Sequence, residues 1–168
     1  MRLFIAINFN KDTMSKLFDI CEWLKAGSEQ GRFSDPENLH LTLAFLGECR
    51  MAQALSAKSA MDASRFSPFA VSIDRVGRFR RDGGDIWWAG VRESKPLTDL
   101  QRRLSDHLTA KGFTLDTRKF SPHITLGREV VTQLQPKTLE PFGETVSAVE
   151  LMKSERIQGK LVYSQLRL

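Results

Sequence analysis

At 168 residues, with 41% hydrophobic and 27% charged, the chain has the balance of one globular domain, which excludes a disordered or collagen-like segment. A net charge of +5 favours a polyanionic partner only mildly, and two cysteines, Cys21 and Cys49, form neither a CxxC pair nor a disulfide framework. The opening MRLFIAINFNKD holds too short an apolar run for a signal peptide or a span, so the expected setting is the cytoplasm, away from membranes.

Leu3-Phe4-Ile5-Ala6-Ile7 reads as a buried strand, and Asn10 or Asp12 can cap a helix after it. Met14, Leu17, Phe18, Cys21 and Leu24 follow helical spacing, and Gly27 with the polar run Ser28 to Arg32 ends that helix. After Pro36 comes a strand closing at Gly47, then an alanine-rich helix over 51–64 whose larger apolar residues are Met51, Leu55 and Met61. Phe69, Val71 and Ile73 alternate as a strand, while Val76 has the other parity, which predicts a bulge near Asp74-Arg75. A hairpin with a basic tip leads into the return strand Ile86–Val91. Pro96 opens a third helix with Leu97, Leu100, Leu104 and Leu108 on one stripe, and Gly112 ends it. A strand around His123 follows; Glu129 to Pro141 reads as loop with a short helix; Thr145–Glu155 and Leu161–Leu168 read as strands around a turn at Gln158-Gly159. Hairpins mixed with helices point to α+β antiparallel layers.

Two of these strands answer one another. Asn38-Leu39-His40-Leu41-Thr42-Leu43 and Ser121-Pro122-His123-Ile124-Thr125-Leu126 share the order His, aliphatic, Thr, Leu, and 83 residues separate the histidines, close to half the chain. Alternate strand residues share a face, so His40 lies beside Thr42 and His123 beside Thr125, each pair roughly 7 Å apart along the backbone. If the halves pack as related lobes, two imidazoles can oppose each other across a cleft. In-line displacement at phosphorus needs a base on one side and an acid on the other, and histidine titrates near working pH. The hydroxyls can donate to non-bridging phosphate oxygens. This scheme requires neither metal nor cofactor. A lone histidine in a strand is more often a structural, hydrogen-bonded residue; repetition of the whole setting is what favours catalysis. His107, on the apolar side of the third helix, is the structural counter-example.

The pair HLTL and HITL, within NLHLTLAFLGE and SPHITLGR, resembles the two-histidine (2H) phosphoesterase superfamily, in its RNA 2′,3′-cyclic phosphodiesterase or 2′-5′ RNA ligase-like branch. The opening strand and the late Ser154…Gly159…Tyr163…Leu166 pattern agree with it. The resemblance implies an α+β fold over 1–168: a single domain of two pseudo-repeat lobes, each a mostly antiparallel sheet with helices outside, a central cleft between them, and one His-x-Thr motif per lobe. It implies hydrolysis of RNA 2′,3′-cyclic phosphate ends, tRNA fragments among them, or of cyclic nucleotides, to 2′-phosphomonoesters. It also implies His40 as general acid, His123 as general base, and Thr42 and Thr125 on the phosphate. An arginine at the position of Arg128 belongs to the same pattern, binding phosphate. Unbroken strand parity would turn Arg128 away from His123, and Gly127 can turn or end the strand to swing it back.

The hairpin residues Arg75, Arg78, Phe79, Arg80 and Arg81 can bind RNA phosphates and stack a base, or form a solvated edge that discourages aggregation. Trp87 and Trp88 must face opposite sides of their strand, one toward the core and one free to stack a base. Phe9, Phe45 and Tyr163 are expected beside the cleft. No P-loop, Rossmann fingerprint, HExxH or zinc spacing is present. The same acid–base pair run backwards would join a cyclic end to a 5′-hydroxyl, and a fold that has lost turnover would remain an RNA-binding module. The expected state is a monomer.

Overall fold

A computed structural model describes residues 1–168. In chain order the elements are β1 (Arg2–Ile7), α1 (Lys11–Ala26), β2 (Ser28–Phe33), a 3-10 turn (Pro36–Asn38), β3 (Leu41–Glu48), α2 (Met51–Ala63) and β4 (Phe69–Phe79). There follow β5 (Asp85–Val91), α3 (Lys95–Ala110), β6 (His123–Thr132), β7 (Lys137–Val146), β8 (Glu150–Ile157) and β9 (Lys160–Gln165). The strands form two antiparallel sheets, one ordered β3-β1-β8-β9 and the other β2-β6-β5-β4-β7. The fold is α+β, with a four-stranded and a five-stranded sheet and three helices.

The helices begin and bury themselves for local reasons. The Asn10 side chain accepts from the Thr13 amide at 2.9 Å, a cap worth about 1 kcal/mol. Thr13, Leu17, Cys21 and Leu24 then form the buried stripe of α1, with Phe18 left on its shoulder, partly exposed. This helix covers the five-stranded sheet: Trp23 meets Trp87 edge-on at 6.4 Å, and the Cys21 thiol donates to the Leu126 carbonyl at 3.4 Å. Ser94 caps α3, and Leu97, Leu100, Leu104 and Leu108 all point inward. From α3, the Gln101 amide donates to the Leu43 carbonyl of β3, tying that helix to the four-stranded sheet. In α2 the buried stripe is Ala54, Ala57 and Ala60, while the larger Met51 and Leu55 are exposed. Alanines let α2 approach α3 closely enough that larger residues would not fit between them.

Three segments differ from their sequence reading. The polar run 28–33 is a strand, not the loop that ends a helix, and it forms the outer edge of the five-stranded sheet beside β6. An edge strand is held by its backbone ladder on one side, so it needs no hydrophobic alternation. Residues 129–141, expected as loop with a short helix, continue β6 to Thr132 and then open β7 on the opposite edge. Pro141 is accommodated there because the pairing of β4 with β7 skips from Phe142 to Thr138. The strand expected from Thr145 belongs instead to the end of β7, with β8 starting at Glu150. The bulge at Asp74-Arg75 is present, where the register of β4 shifts against both neighbours.

A two-histidine candidate active site

His40 stands immediately before β3 and His123 opens β6, so each motif enters its own sheet from a loop containing a proline. Both rings are half-buried. In each, Nδ1 lies 2.6 Å from the carbonyl oxygen two residues earlier, Asn38 for His40 and Ser121 for His123. A carbonyl can only accept, so Nδ1 carries the proton and donates, leaving Nε2 as the free basic nitrogen of a neutral ring. The hydroxyl of Thr42 lies 2.8 Å from His40 Nε2. Burial pushes both histidines below the ordinary imidazole value, the two carbonyl bonds opposing it in part; the Arg128 guanidinium lowers His123 further.

Each imidazole is seated against aromatic rings. Phe4 lies 4.8 Å from His40, and Tyr163 stands edge-on to it at 5.2 Å. In the other sheet Phe79 stands edge-on to His123 at 5.2 Å, with Trp88 at 6.2 Å. Thr125 pairs with Trp88 and His123 with Gly90, so all four share one face of the five-stranded sheet. The Arg128 charge lowers His123 and also opposes the burial that raises Tyr163, the ring edge-on to His40.

Strand parity alone would send Arg128 to the wrong face. The register resolves this: Trp88 pairs with Thr125, but the next β5 residue, Trp87, pairs with Gly127. One extra residue in β6 puts Gly127 on the core side with the fully buried Trp87, and Arg128 therefore returns to the face of His123 and Thr125. The reset is a bulge across Leu126-Gly127 rather than a turn or the end of the strand.

The chain can be compared with known proteins on this basis. A family model described as the 2′-5′ RNA ligase superfamily matches residues 22–158. The chain belongs to the 2′-5′ RNA ligase superfamily. An RNA 2′,3′-cyclic phosphodiesterase of Archaeoglobus fulgidus is 32% identical, the alignment covering 100% of this chain and 99% of that protein. One of Methanothermobacter thermautotrophicus is 29% identical over 100% of this chain and 97% of its own length. Among solved structures, E. coli LigT complexed with 3′-AMP superposes with a TM-score of 0.85 at 27% identity, over 99% of this chain and 95% of that one.

In this member of the 2′-5′ RNA ligase superfamily the basic hairpin divides between two faces. Arg75 lies on the cleft face, 5.7 Å from the Trp88 ring and bonded to Asp74 at 2.9 Å. Phe79 and Arg81 join it there, the Arg81 guanidinium 5.7 Å from the Phe79 ring. Arg78 does not: it pairs with Trp87 on the opposite face, stacks on that indole at 5.5 Å and reaches the Leu134 carbonyl. That removes Arg78 from the expected RNA-facing set, since the pleat alternates its residues strictly once the bulge is passed. Arg80 is exposed at the hairpin tip, 3.6 Å from Asp85. Of the two tryptophans, Trp87 is core and Trp88 lies on the cleft face. Phe45 is 63% exposed, 6.1 Å from Phe4, and Phe9 packs on the main core. His107 is part of α3, apart from both motifs.

Phe4 is the site residue that the sequence reading missed. It looked like one more apolar residue of a buried strand, yet it forms a small separate cluster with Ala6, Met152 and Tyr163. Its parity with Arg2, the one polar residue of β1, was the available signal. No helix is long and apolar enough to cross a membrane, and no three His, Cys, Asp or Glu side chains are grouped to hold a metal ion.

Proposed function

We propose that this protein hydrolyses 2′,3′-cyclic phosphate ends of RNA to 2′-phosphomonoesters, with His40 and His123 dividing the proton transfers. The observation that carries this reading is the matched pair of imidazoles, each with Nδ1 anchored to a backbone carbonyl, which leaves Nε2 for chemistry, that of His40 beside the Thr42 hydroxyl. A water oxygen attacks phosphorus and its proton passes to His123 Nε2. The bond from phosphorus to the 3′-oxygen breaks, and that oxygen takes a proton from His40 Nε2, leaving the phosphate on the 2′-oxygen. His123 suits the base, because Arg128 adds to the burial that keeps it neutral. His40 lacks that added cation, and the substrate's own anion favours its protonated form. Thr42, Thr125 and Arg128 hold the non-bridging oxygens, the guanidinium as a two-pronged donor. Arg75, Phe79 and Arg81 extend the same face toward the RNA, with Arg80 on the rim. Relatives named RNA 2′,3′-cyclic phosphodiesterase that align over nearly the whole chain support the same reading.

The two sheets act as pseudo-repeat lobes of a single domain over 1–168, working as a monomer. Cys21 and Cys49 are free and buried, which fits a reducing compartment, and we place the protein in the cytoplasm. Family membership favours one second reading: reversal of the same steps joins a cyclic end to a 5′-hydroxyl in a 2′-5′ linkage.

Incubation with nucleoside 2′,3′-cyclic phosphates, resolving 2′- from 3′-phosphate products, tests the first reading; the expected product is the 2′-phosphate, formed undiminished in EDTA. Inert protein on cyclic-ended mononucleotides and oligonucleotides alike would remove it, and loss in EDTA with recovery in zinc would remove the two-histidine mechanism. Longer RNA from matched cyclic and 5′-hydroxyl halves would establish ligation.

A further inference from the structure

Beside His40, the cleft face of the four-stranded sheet carries a second cationic group that the chemistry above does not use. Arg2 pairs with Ser154, and Ser154 pairs with Tyr163, so these three form one cross-strand row. Arg156 follows Ser154 on the same face of β8, opposite Leu161. The row adjoins the reaction centre, because Tyr163 touches both Phe4, at 5.0 Å, and His40, at 5.2 Å. From Phe4 to Arg2 is two residues along β1, roughly 7 Å, comparable to the spacing of successive phosphates in an RNA strand.

We propose that Arg2, Arg156 and the Tyr163 hydroxyl form a subsite for a second phosphate, the one attached to the 5′-oxygen of the nucleotide whose cyclic phosphate is opened. Both guanidiniums are exposed, and neither forms an ion pair. The nearby carboxylates are engaged elsewhere: Glu48 with the N-terminal amine at 3.4 Å, Glu155 with Lys153 at 2.9 Å. Arg156 spends one nitrogen on the Gly159 carbonyl, which fixes the side chain and leaves the rest of its fork open. Burial raises the Tyr163 phenol, and the charges of Arg128, Arg2 and Arg156 oppose that shift. Two unpaired cations beside one hydroxyl, on a face that also holds the reacting imidazole, suit a phosphodiester rather than a base. The subsite makes the enzyme a reader of strand ends, favouring a cyclic phosphate that has more RNA behind it over a free cyclic nucleoside.

The subsite's substrate rests on the hydrolase reading, but its binding does not. The probes are adenosine 2′-phosphate and adenosine 2′,5′-bisphosphate, titrated calorimetrically against the full chain. The added 5′-phosphate is expected to tighten binding by about tenfold or more. In the Arg2→Gln/Arg156→Gln variant that gain falls to about one, whereas Arg102→Gln, which removes a charge from the far side of α3, retains it. In turnover, the ratio of kcat/KM for 5′-phosphorylated over plain adenosine 2′,3′-cyclic phosphate falls in the same way. Equal affinity for the two probes in the wild type, or a gain that survives in the double variant, overturns the subsite. A gain in binding with no turnover of either cyclic substrate overturns the hydrolase reading and keeps the subsite.

Discussion

The ring of Tyr163 meets the ring of His40 edge-on at 82° and 5.2 Å, and in the other sheet Phe79 meets His123 at 87° and the same separation. Two unrelated aromatic residues, on β9 and β4, thus perform the same task. Each presents a flat neighbour that limits rotation of an imidazole already fixed at Nδ1.

Both histidines are therefore expected to be indispensable. His40→Ala and His123→Ala should each lower turnover of a cyclic nucleotide by roughly a hundred- to ten-thousandfold. His107→Ala should stay within a few-fold of wild type. Retention of activity in either motif variant would mean that the proton transfers run through other groups.

The dependence on pH follows from the burial of both rings. Each is held below the ordinary imidazole value, about 6.5, in the free protein. The acid limb of kcat/KM reports protonation of the base, and the alkaline limb reports loss of the acid's proton. Both limbs should lie on the acid side of 6.5. Arg128→Gln removes a cation that depresses His123, so the His123 titration, followed by its ring protons in NMR, should move upward and carry the acid limb with it. An unmoved His123 would show that the guanidinium is screened from the ring.

Gly77 holds a place for Trp88. It pairs with Trp88 across β4 and β5, and a Cβ there would run into the indole. Because Trp88 also lies 6.2 Å from His123, Gly77→Ala should displace the indole toward the site and lower kcat/KM. Indole fluorescence should change in parallel, and a variant with wild-type kinetics and emission would show that the ring has room to yield.

Leu104 tests the core. It is fully buried in the α3 stripe, and Leu104→Ala should cost about 2–5 kcal/mol in urea unfolding. A loss below about 1 kcal/mol would mean that α2 and α3 close the cavity by moving together.

The residues differ in how far their places could be read from the chain. The motif histidines and threonines were legible because a repeat fixes their pairing and period-two alternation fixes their face. The α3 leucines were legible for the same kind of reason at helical spacing. Residues 28–33 were not, because an edge strand is selected by a partner's backbone rather than by its own hydrophobicity. The face of Arg128 depends on a register offset between β5 and β6, a property of two strands that neither sequence carries alone. Arg78 and Arg75 look equivalent in a run of basic residues, but the pleat separates them, sending one onto Trp87 and the other beside Trp88. Tyr163 was expected beside the cleft, but the seats from Phe4 of β1 and from the hairpin lie too far along the chain from their imidazoles for local pattern to connect them.

The extra residue at Leu126-Gly127 also makes the face of the guanidinium indifferent to the loss of one residue. Deleting one residue there would restore strict alternation and bring the arginine to the fourth place after His123, still on the face of the imidazole. A codon lost at this point therefore leaves the grip on phosphate in place, whereas straightening the strand at full length would turn the guanidinium away.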